Sequence, residues 1–197
     1  MKNIQYWILH NILEEIKPSS YAKAYIKNRG LKQNIRFHRG QKKVLSLDIK
    51  DFFPSITFEK VEAIFLNKGY SEELSNYLAK LCCLKEKLPQ GAPTSPYISN
   101  LILNEVDVLI ADYCKELAIR YTRYADDLTF SGDFDDSVVY NYVKDTIEKE
   151  GFTLNEDKTR VMLYSERQIV TGIVVNDKPQ LDKQIRRDIR QHLYFIK

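Results

Sequence analysis

Two carboxylates sit side by side at Asp126 and Asp127, inside the stretch IRYTRYADDLTFSG that runs from Ile119 to Gly132. Both flanks are rich in β-branched and aromatic residues that fit a pleated, half-buried surface, so they read as strands with Ala-Asp-Asp as the tight turn between them. Adjacent acids at a hairpin tip repel each other and gain nothing from a core; they need solvent or a cation. Taken alone, the pair reads first as an ordinary turn, because Asp is a good turn residue. A third acid changes that reading. Asp48 lies in KKVLSLDIKDFF, where Leu45, Leu47 and Ile49 alternate with Ser46 and Asp48, the pattern of a strand with one apolar face. With that strand beside the hairpin, Asp48, Asp126 and Asp127 converge on one point. Such a set suits two Mg²⁺ ions about 3.5 to 4 Å apart, held by a few carboxylates and completed by substrate phosphates and water. The chemistry that fits is nucleotidyl transfer, one metal activating a 3′-hydroxyl and the other holding the triphosphate and the leaving pyrophosphate.

The elements that must position these acids alternate between helix and strand. Trp7, Ile8, Leu9, Ile12, Leu13 and Ile16 recur at helical spacing until Lys17-Pro18-Ser19-Ser20 stops them. After the Asp48 strand, helices are expected at about Phe58 to Lys68 and Ser71 to Leu84, the second opened by Ser71 and the acids Glu72 and Glu73. The loop KLPQGAPTSP leads into one long helix from about Pro96 to Leu117. The Asp126 hairpin follows, then a helix near Asp136 to Glu150, the segment GFTLNEDKTRVML, a strand pair across RQIVTGIVVND and a terminal helix from about Leu181. The predicted fold class is α+β, with no internal repeat or flexible linker.

Composition narrows the function class. The 197 residues are 44% hydrophobic, enough for a packed core, and no apolar run approaches the roughly 20 residues needed to cross a bilayer. Acids follow the short apolar stretch at the N-terminus, unlike a secretory leader, so the expectation is a cytoplasmic protein with no membrane partner. Three cysteines, Cys82, Cys83 and Cys114, suit neither a disulfide framework nor zinc spacing. The net charge of +3 is unevenly spread: between Ile16 and Leu47 there is no Asp or Glu, while nine Lys and Arg residues, Arg36 and Arg39 among them, all carry positive charge. Such a block suits a phosphate backbone. A second basic cluster, Lys183, Arg186, Arg187 and Arg190, falls at helical spacing and is equally compatible with a solvated face.

The ordered segments LDIKDFFPSI, LPQGAPTSP, YTRYADDLTFSG, GFTLNEDKTRV and RQIVTGIVVN resemble the successive motifs of reverse transcriptases. The bacterial retron type is most similar: NIRFH, Asn34 to His38, resembles its Asn-Ala-x-x-His box, with Ile35 in place of the usual Ala, and Val170-Thr171-Gly172 resembles its Val-Thr-Gly box. The resemblance covers nearly the whole chain. It implies a right-hand polymerase palm, an antiparallel sheet packed on helices, with partial fingers at 1–40, palm at 41–56, fingers at 57–93, palm at 94–176 and the start of a thumb at 177–197. Most of the fingers segment that grips the triphosphate and most of the thumb are then expected outside this chain, which on its own would be weakly active or inactive.

Carried over residue by residue, the resemblance makes Asp48, Asp126 and Asp127 the catalytic, Mg²⁺-binding carboxylates, Asp127 the supporting one. Phe53 matches the gate whose ring would collide with a ribose 2′-hydroxyl. Gln90 and Gly91 match the pair that contacts the nucleotide, and Lys158 the lysine near the triphosphate. Asn34, Arg36, His38, Arg39, Tyr124, Val170, Thr171 and Gly172 are expected to meet nucleic acid, Tyr124 and the Val170 strand pair at the primer end. The implied activity is extension of a DNA or RNA primer on an RNA template with dNTPs; the resemblance further implies a cognate structured RNA as partner and a role in defence against phage. A group II intron-like, template-independent or RNA-making polymerase stays open as an alternative, as does a module that binds RNA without turnover. Phe53 speaks against ribonucleotides, and the intact acids against mere binding, since carboxylates near phosphates are repulsive unless metals neutralise them.

Overall fold

The computed structural model describes residues 1–181 and 183–196. Strands β1 (Lys43–Asp48), β2 (Arg120–Tyr124), β3 (Asp127–Gly132) and β4 (Arg160–Leu163) form one antiparallel sheet in the order β2-β3-β1-β4. The register explains why this sequence needs two coverings. Leu45 and Leu47 on β1, Leu128 and Phe130 on β3 and Tyr121 on β2 share one face and enter the main core. Val44, Ser46 and Asp48 point to the other face, with Asp127, Thr129 and Ser131 opposite them. That second face is polar at one end and carries only a small apolar cluster of Ile35, Val44, Met162, Val170 and Val175.

Helices cover the apolar face. α1 (Lys2–Asn11), α3 (Phe58–Asn67), α4 (Glu72–Cys82), α5 (Ser95–Ile102), α6 (Asn104–Glu116) and α7 (Asp136–Lys149) contribute Ile8, Val61, Phe65, Leu78, Ile98, Ile110 and Val143 to the same core. The helix start expected at Ser71 is capped, its side chain accepting from Leu74 N, and Asp135 caps α7 by accepting from Ser137 N. The helix expected through Ile16 ends sooner, at Asn11, and continues only as a 3₁₀ turn over Leu13–Glu15. The single helix expected over 96–117 is two. It breaks at the fully buried Leu103, and Asn104 turns back to accept from Ser19 N at 2.6 Å, an Asn side chain competing with the helical ladder for backbone partners.

One helix was not anticipated: α2 (Leu31–Phe37) lies within the acid-free block and packs on β2. A second, three-stranded sheet of β5 (Ile169–Val170), β6 (Ile173–Val174) and β7 (Gln180–Leu181) follows the four-stranded sheet, and α8 (Lys183–Phe195) ends the described chain. Arg187 and Arg190 are exposed on α8; the Lys183 side chain, Asp182 and Lys197 lie outside the described residues. Among the described residues, no helix is long and apolar enough to cross a membrane.

Candidate active site

Asp48 ends β1 directly opposite Asp127, the first residue of β3, so both side chains leave the same face of the sheet. Tyr124 pairs with Asp127 across a two-residue loop, Ala125-Asp126, and that loop sets the third acid beside the other two. The backbone is pinned on each side. Ile49 N donates to Asp126 O at 3.1 Å, and Asn155 N donates to Asp48 O at 2.7 Å. Ala125 sits at φ +60°, where an L residue is strained and glycine is usual for this class of hairpin. Its carbonyl accepts from the buried Arg123 Nη1 at 3.0 Å.

Arg123 is the largest fully buried side chain described, and it is fully paired. Nε and Nη2 donate to Asp107 Oδ1 and Oδ2 at 2.8 and 2.7 Å, and Nη1 also donates to Asn100 Oδ1 at 3.0 Å. Asp107 further accepts from the Tyr121 hydroxyl at 2.7 Å. A buried charge is tolerable only when paired and hydrogen-bonded in this way. The pair ties α6 and α5 to the hairpin that carries Asp126 and Asp127. The backbone of Arg123 also bonds to Tyr21 O and Lys23 N, and Asn100 Nδ2 donates to Ala24 O, so the loop leading to Tyr25 is held against the same hairpin.

The acids are crowded, and their protonation shows it. Burial, then the negative charge of Asp126 and of Asp48, pushes the Asp127 carboxyl up to about 6, opposed by Lys158. Asp126 is also raised, first by burial and then by Asp48, against its own backbone hydrogen bond and Lys158. Asp48, only 5% exposed, accepts from Lys158 Nζ at 3.0 Å, and that bond raises the Lys158 pKa. Among the described residues no group of three or more His, Cys, Asp or Glu side chains is gathered tightly enough to hold a metal ion. The donor set nevertheless fits a divalent cation: three acid side chains gathered at one edge of the sheet, two of them made reluctant to ionise by burial and then by neighbouring carboxylates, are relieved by positive charge placed between them.

Two clefts open on this face. One of about 500 Å³ is lined by Asp48, Asp126, Phe53, Gln90, Lys158 and Tyr25. The other, about 200 Å³, holds Asp48 and Asp127 together with Lys158, Thr171 and Gly172. A mostly apolar hollow of about 540 Å³ beside Val108 and Leu109 contains none of the acids. Phe53, Gln90 and Lys158 thus line the same cleft as Asp48 and Asp126, and Gly91 is exposed at φ +85° next to Gln90. Tyr124 is half-buried, and Arg36 and Arg39 are exposed. Three expectations are corrected. Asn34 and His38 are fully buried and Val170 is 2% exposed, so none of them offers its side chain to a nucleic acid. Asn34 and His38 bond instead to Thr122, Ser131 and Thr171 inside the protein. Sequence reasoning also missed Tyr25, Asp107 and Arg123. For Arg123 a signal existed: it occupies the core-facing register of β2, two residues after Tyr121, where an unpaired Arg could not be buried.

The reverse transcriptase (RNA-dependent DNA polymerase) family pattern matches residues 1–185. The chain belongs to that family. It is 36% identical over its whole length to the retron Ec86 reverse transcriptase of Escherichia coli, covering 62% of that protein. It is 33% identical to the retron Mx162 reverse transcriptase of Myxococcus xanthus, with 98% of this chain and 46% of the relative aligned. The retron Ec73 reverse transcriptase of Escherichia coli is 31% identical, with 69% of its length covered. The chain therefore spans about half to two thirds of these relatives. The mixed α/β fold with its antiparallel sheet agrees with the polymerase palm expected from the motifs, and the reverse transcriptase ancestry covers both clefts.

Proposed function

We propose that this chain carries the polymerising site of an RNA-directed DNA polymerase of the retron type, extending a DNA or RNA primer on an RNA template with dNTPs. The observation that carries this reading is the register that sets Asp48 opposite Asp127 with Asp126 at the adjoining tip, on the wall of a cleft shared with Phe53 and Gln90. Asp48, Asp126 and Asp127 would hold two Mg²⁺ ions, which when bound supply charge neutralisation for the triphosphate and a lowered pKa for the primer 3′-hydroxyl. Phe53 walls the cleft where the sugar of a nucleotide would lie, and a bulky ring there excludes a 2′-hydroxyl. Gln90 offers both a donor and an acceptor to the sugar or base. Lys158, kept protonated by Asp48, has a proton at Nζ for the pyrophosphate oxygen as it leaves. Exposed Arg36 and Arg39 reach the phosphate backbone as charges, while Tyr124 and the Thr171-Gly172 turn flank the primer end.

The domain assignment belongs to the same proposal: palm at 41–56 and 94–176, fingers at 1–40 and 57–93, and the first part of a thumb from 177. So do a cognate structured RNA and a cytoplasmic location. The test is primer extension on an RNA template with Mg²⁺ and dNTPs, in a version of the protein carrying the remaining length of its relatives, beside Asp126→Asn. Extension that vanishes in the variant while RNA binding persists supports the proposal. Extension unaffected by the substitution, or RNA binding by a wild type that never extends, overturns it.

A further inference from the structure

The two motifs NIRFH and Val-Thr-Gly lie 137 positions apart at Asn34 and Thr171, yet their side chains touch: Asn34 Nδ2 donates to Thr171 Oγ1 at 2.8 Å. The contact ends a longer chain. Thr122 Oγ1 donates to Asn34 Oδ1, so Thr122 must accept from His38 Nε2, 2.7 Å away. His38 then has Nε2 protonated and Nδ1 free to accept from Ser131 Oγ at 2.7 Å. Burial, then Arg120 and Lys23, pushes the His38 pKa down to about 3, so the ring stays neutral as this pattern requires. Four hydrogen bonds thus run in one direction, from β3 through His38, β2 and α2, to the β5–β6 turn.

What they reach is strained. Thr171 and Gly172 form the two-residue connection between β5 and β6, at φ +48° and +79°. This is the pattern of a hairpin turn with both central residues left-handed, which favours Asn-Gly or Gly-Gly. Gly172 meets nothing that would crowd a side chain. Threonine, by contrast, is β-branched and is an outlier at positive φ. Such strain persists only where the surroundings over-determine it, and the only side-chain bond described for Thr171 is the one to Asn34. The turn borders the cleft that holds Asp48, Asp127 and Lys158.

We propose that Asn34 and His38 are positioning residues: a buried hydrogen-bonded strut that holds the Thr171-Gly172 turn in its left-handed form beside the carboxylates and thereby seats the primer end. This rests on the polymerase reading above. It also explains the residue types. Asn34 must accept on one side and donate on the other, which Asp cannot do, and His38 must be neutral with one nitrogen of each kind.

The test uses Asn34→Ala, Thr171→Val and Thr171→Gly, singly and with Asn34→Ala combined with Thr171→Gly, in a version of the protein spanning the full length of its relatives. Valine keeps the branch and loses the hydroxyl; glycine removes the strain. Hydrogen exchange of residues 169–175 should rise at least about tenfold in Asn34→Ala and Thr171→Val and return to within about threefold of wild type in the combined variant. In extension assays the KM for primer–template should rise about tenfold in the same two variants, with the KM for dNTP nearly unchanged, and recover in the combination. Exchange that does not respond to Asn34→Ala, or a combined variant no better than Asn34→Ala, overturns the strut. A change in exchange and its rescue without any extension by the wild type would keep the strut and overturn only its link to primer placement, so the two failures are distinguishable.

Discussion

The crowding of the three acids makes a prediction about stability that runs opposite to intuition: removing one of them should strengthen the metal-free protein. Asp127 is moved from the usual 3.8 to about 6, first by burial and then by Asp126 and Asp48. Each pKa unit corresponds to about 1.4 kcal/mol, which sets a ceiling of about 3 kcal/mol on the cost of ionising Asp127 in the fold. The side chain is partly open to solvent, so screening cuts this to about 1–2 kcal/mol. The sign follows from proton linkage. The folded state binds the Asp127 proton more tightly than the unfolded state, so the cost is fully present above pH 6 and fades as pH falls from about 6 to below 4. In EDTA at pH 7.5, Asp127→Asn should therefore raise the urea-unfolding free energy by about 1–2 kcal/mol, and at pH 4 the two proteins should differ little. Saturating Mg²⁺ should stabilise the wild type more than the variant, because binding to the folded state adds RT ln(1 + [L]/Kd) only where the site is whole. A variant less stable than wild type at pH 7.5, or an advantage that does not shrink on acidification, would show that Asp127 carries no such cost in the fold.

Other consequences are equally direct. Arg123→Met leaves Asp107 as a buried, unpaired charge and should cost about 3–5 kcal/mol, whereas the double change Arg123→Met with Asp107→Leu should recover most of it; chemical denaturation of the three proteins measures both. Replacing Phe53 by Val in a full-length version should lower discrimination against ribonucleotides by at least about tenfold, read as the ratio of kcat/KM for dNTP and NTP, since the wall that meets the 2′-hydroxyl is gone. Lys158→Ala should lower extension most at alkaline pH, where a weaker proton donor such as water cannot replace the ammonium, and a pH–rate profile parallel to that of wild type would argue against the proton at Nζ.

Much of the site could be read from residue type and spacing because its chemistry is concentrated in a few unusual choices. A strand ending in Asp48 and a hairpin tipped by Asp126-Asp127 needed only alternation and turn chemistry to be recognised, and their meeting needed only that the two strands be neighbours. The element boundaries were less visible. The break at Leu103 comes from Asn104 bonding to Lys17 and Ser19, residues about 85 positions away, and no local periodicity announces such a partner. α2 escaped notice because its seven residues bury only Asn34 and Ile35, too little for an apolar stripe. The surroundings of Asn34 and His38 were hidden for a related reason: their assignment to nucleic acid came from the resemblance of NIRFH to a family box, and only the tertiary fold reveals that hydroxyls of Thr122 and Ser131 on the sheet await them. Tyr25, at φ +61° and bordering the larger cleft, gives no hint in sequence of its strained backbone.

Asp48, Asp126 and Asp127, distant in the chain, should act together as one divalent-cation site. Its most direct measurement is Mn²⁺ binding by electron paramagnetic resonance, with primer–template and a non-hydrolysable dNTP present, on the wild type and on Asp48→Asn with Asp126→Asn. The wild type should bind Mn²⁺ tightly, and the double variant should lose at least about a hundredfold in affinity. Equal Mn²⁺ binding by the two proteins would contradict it.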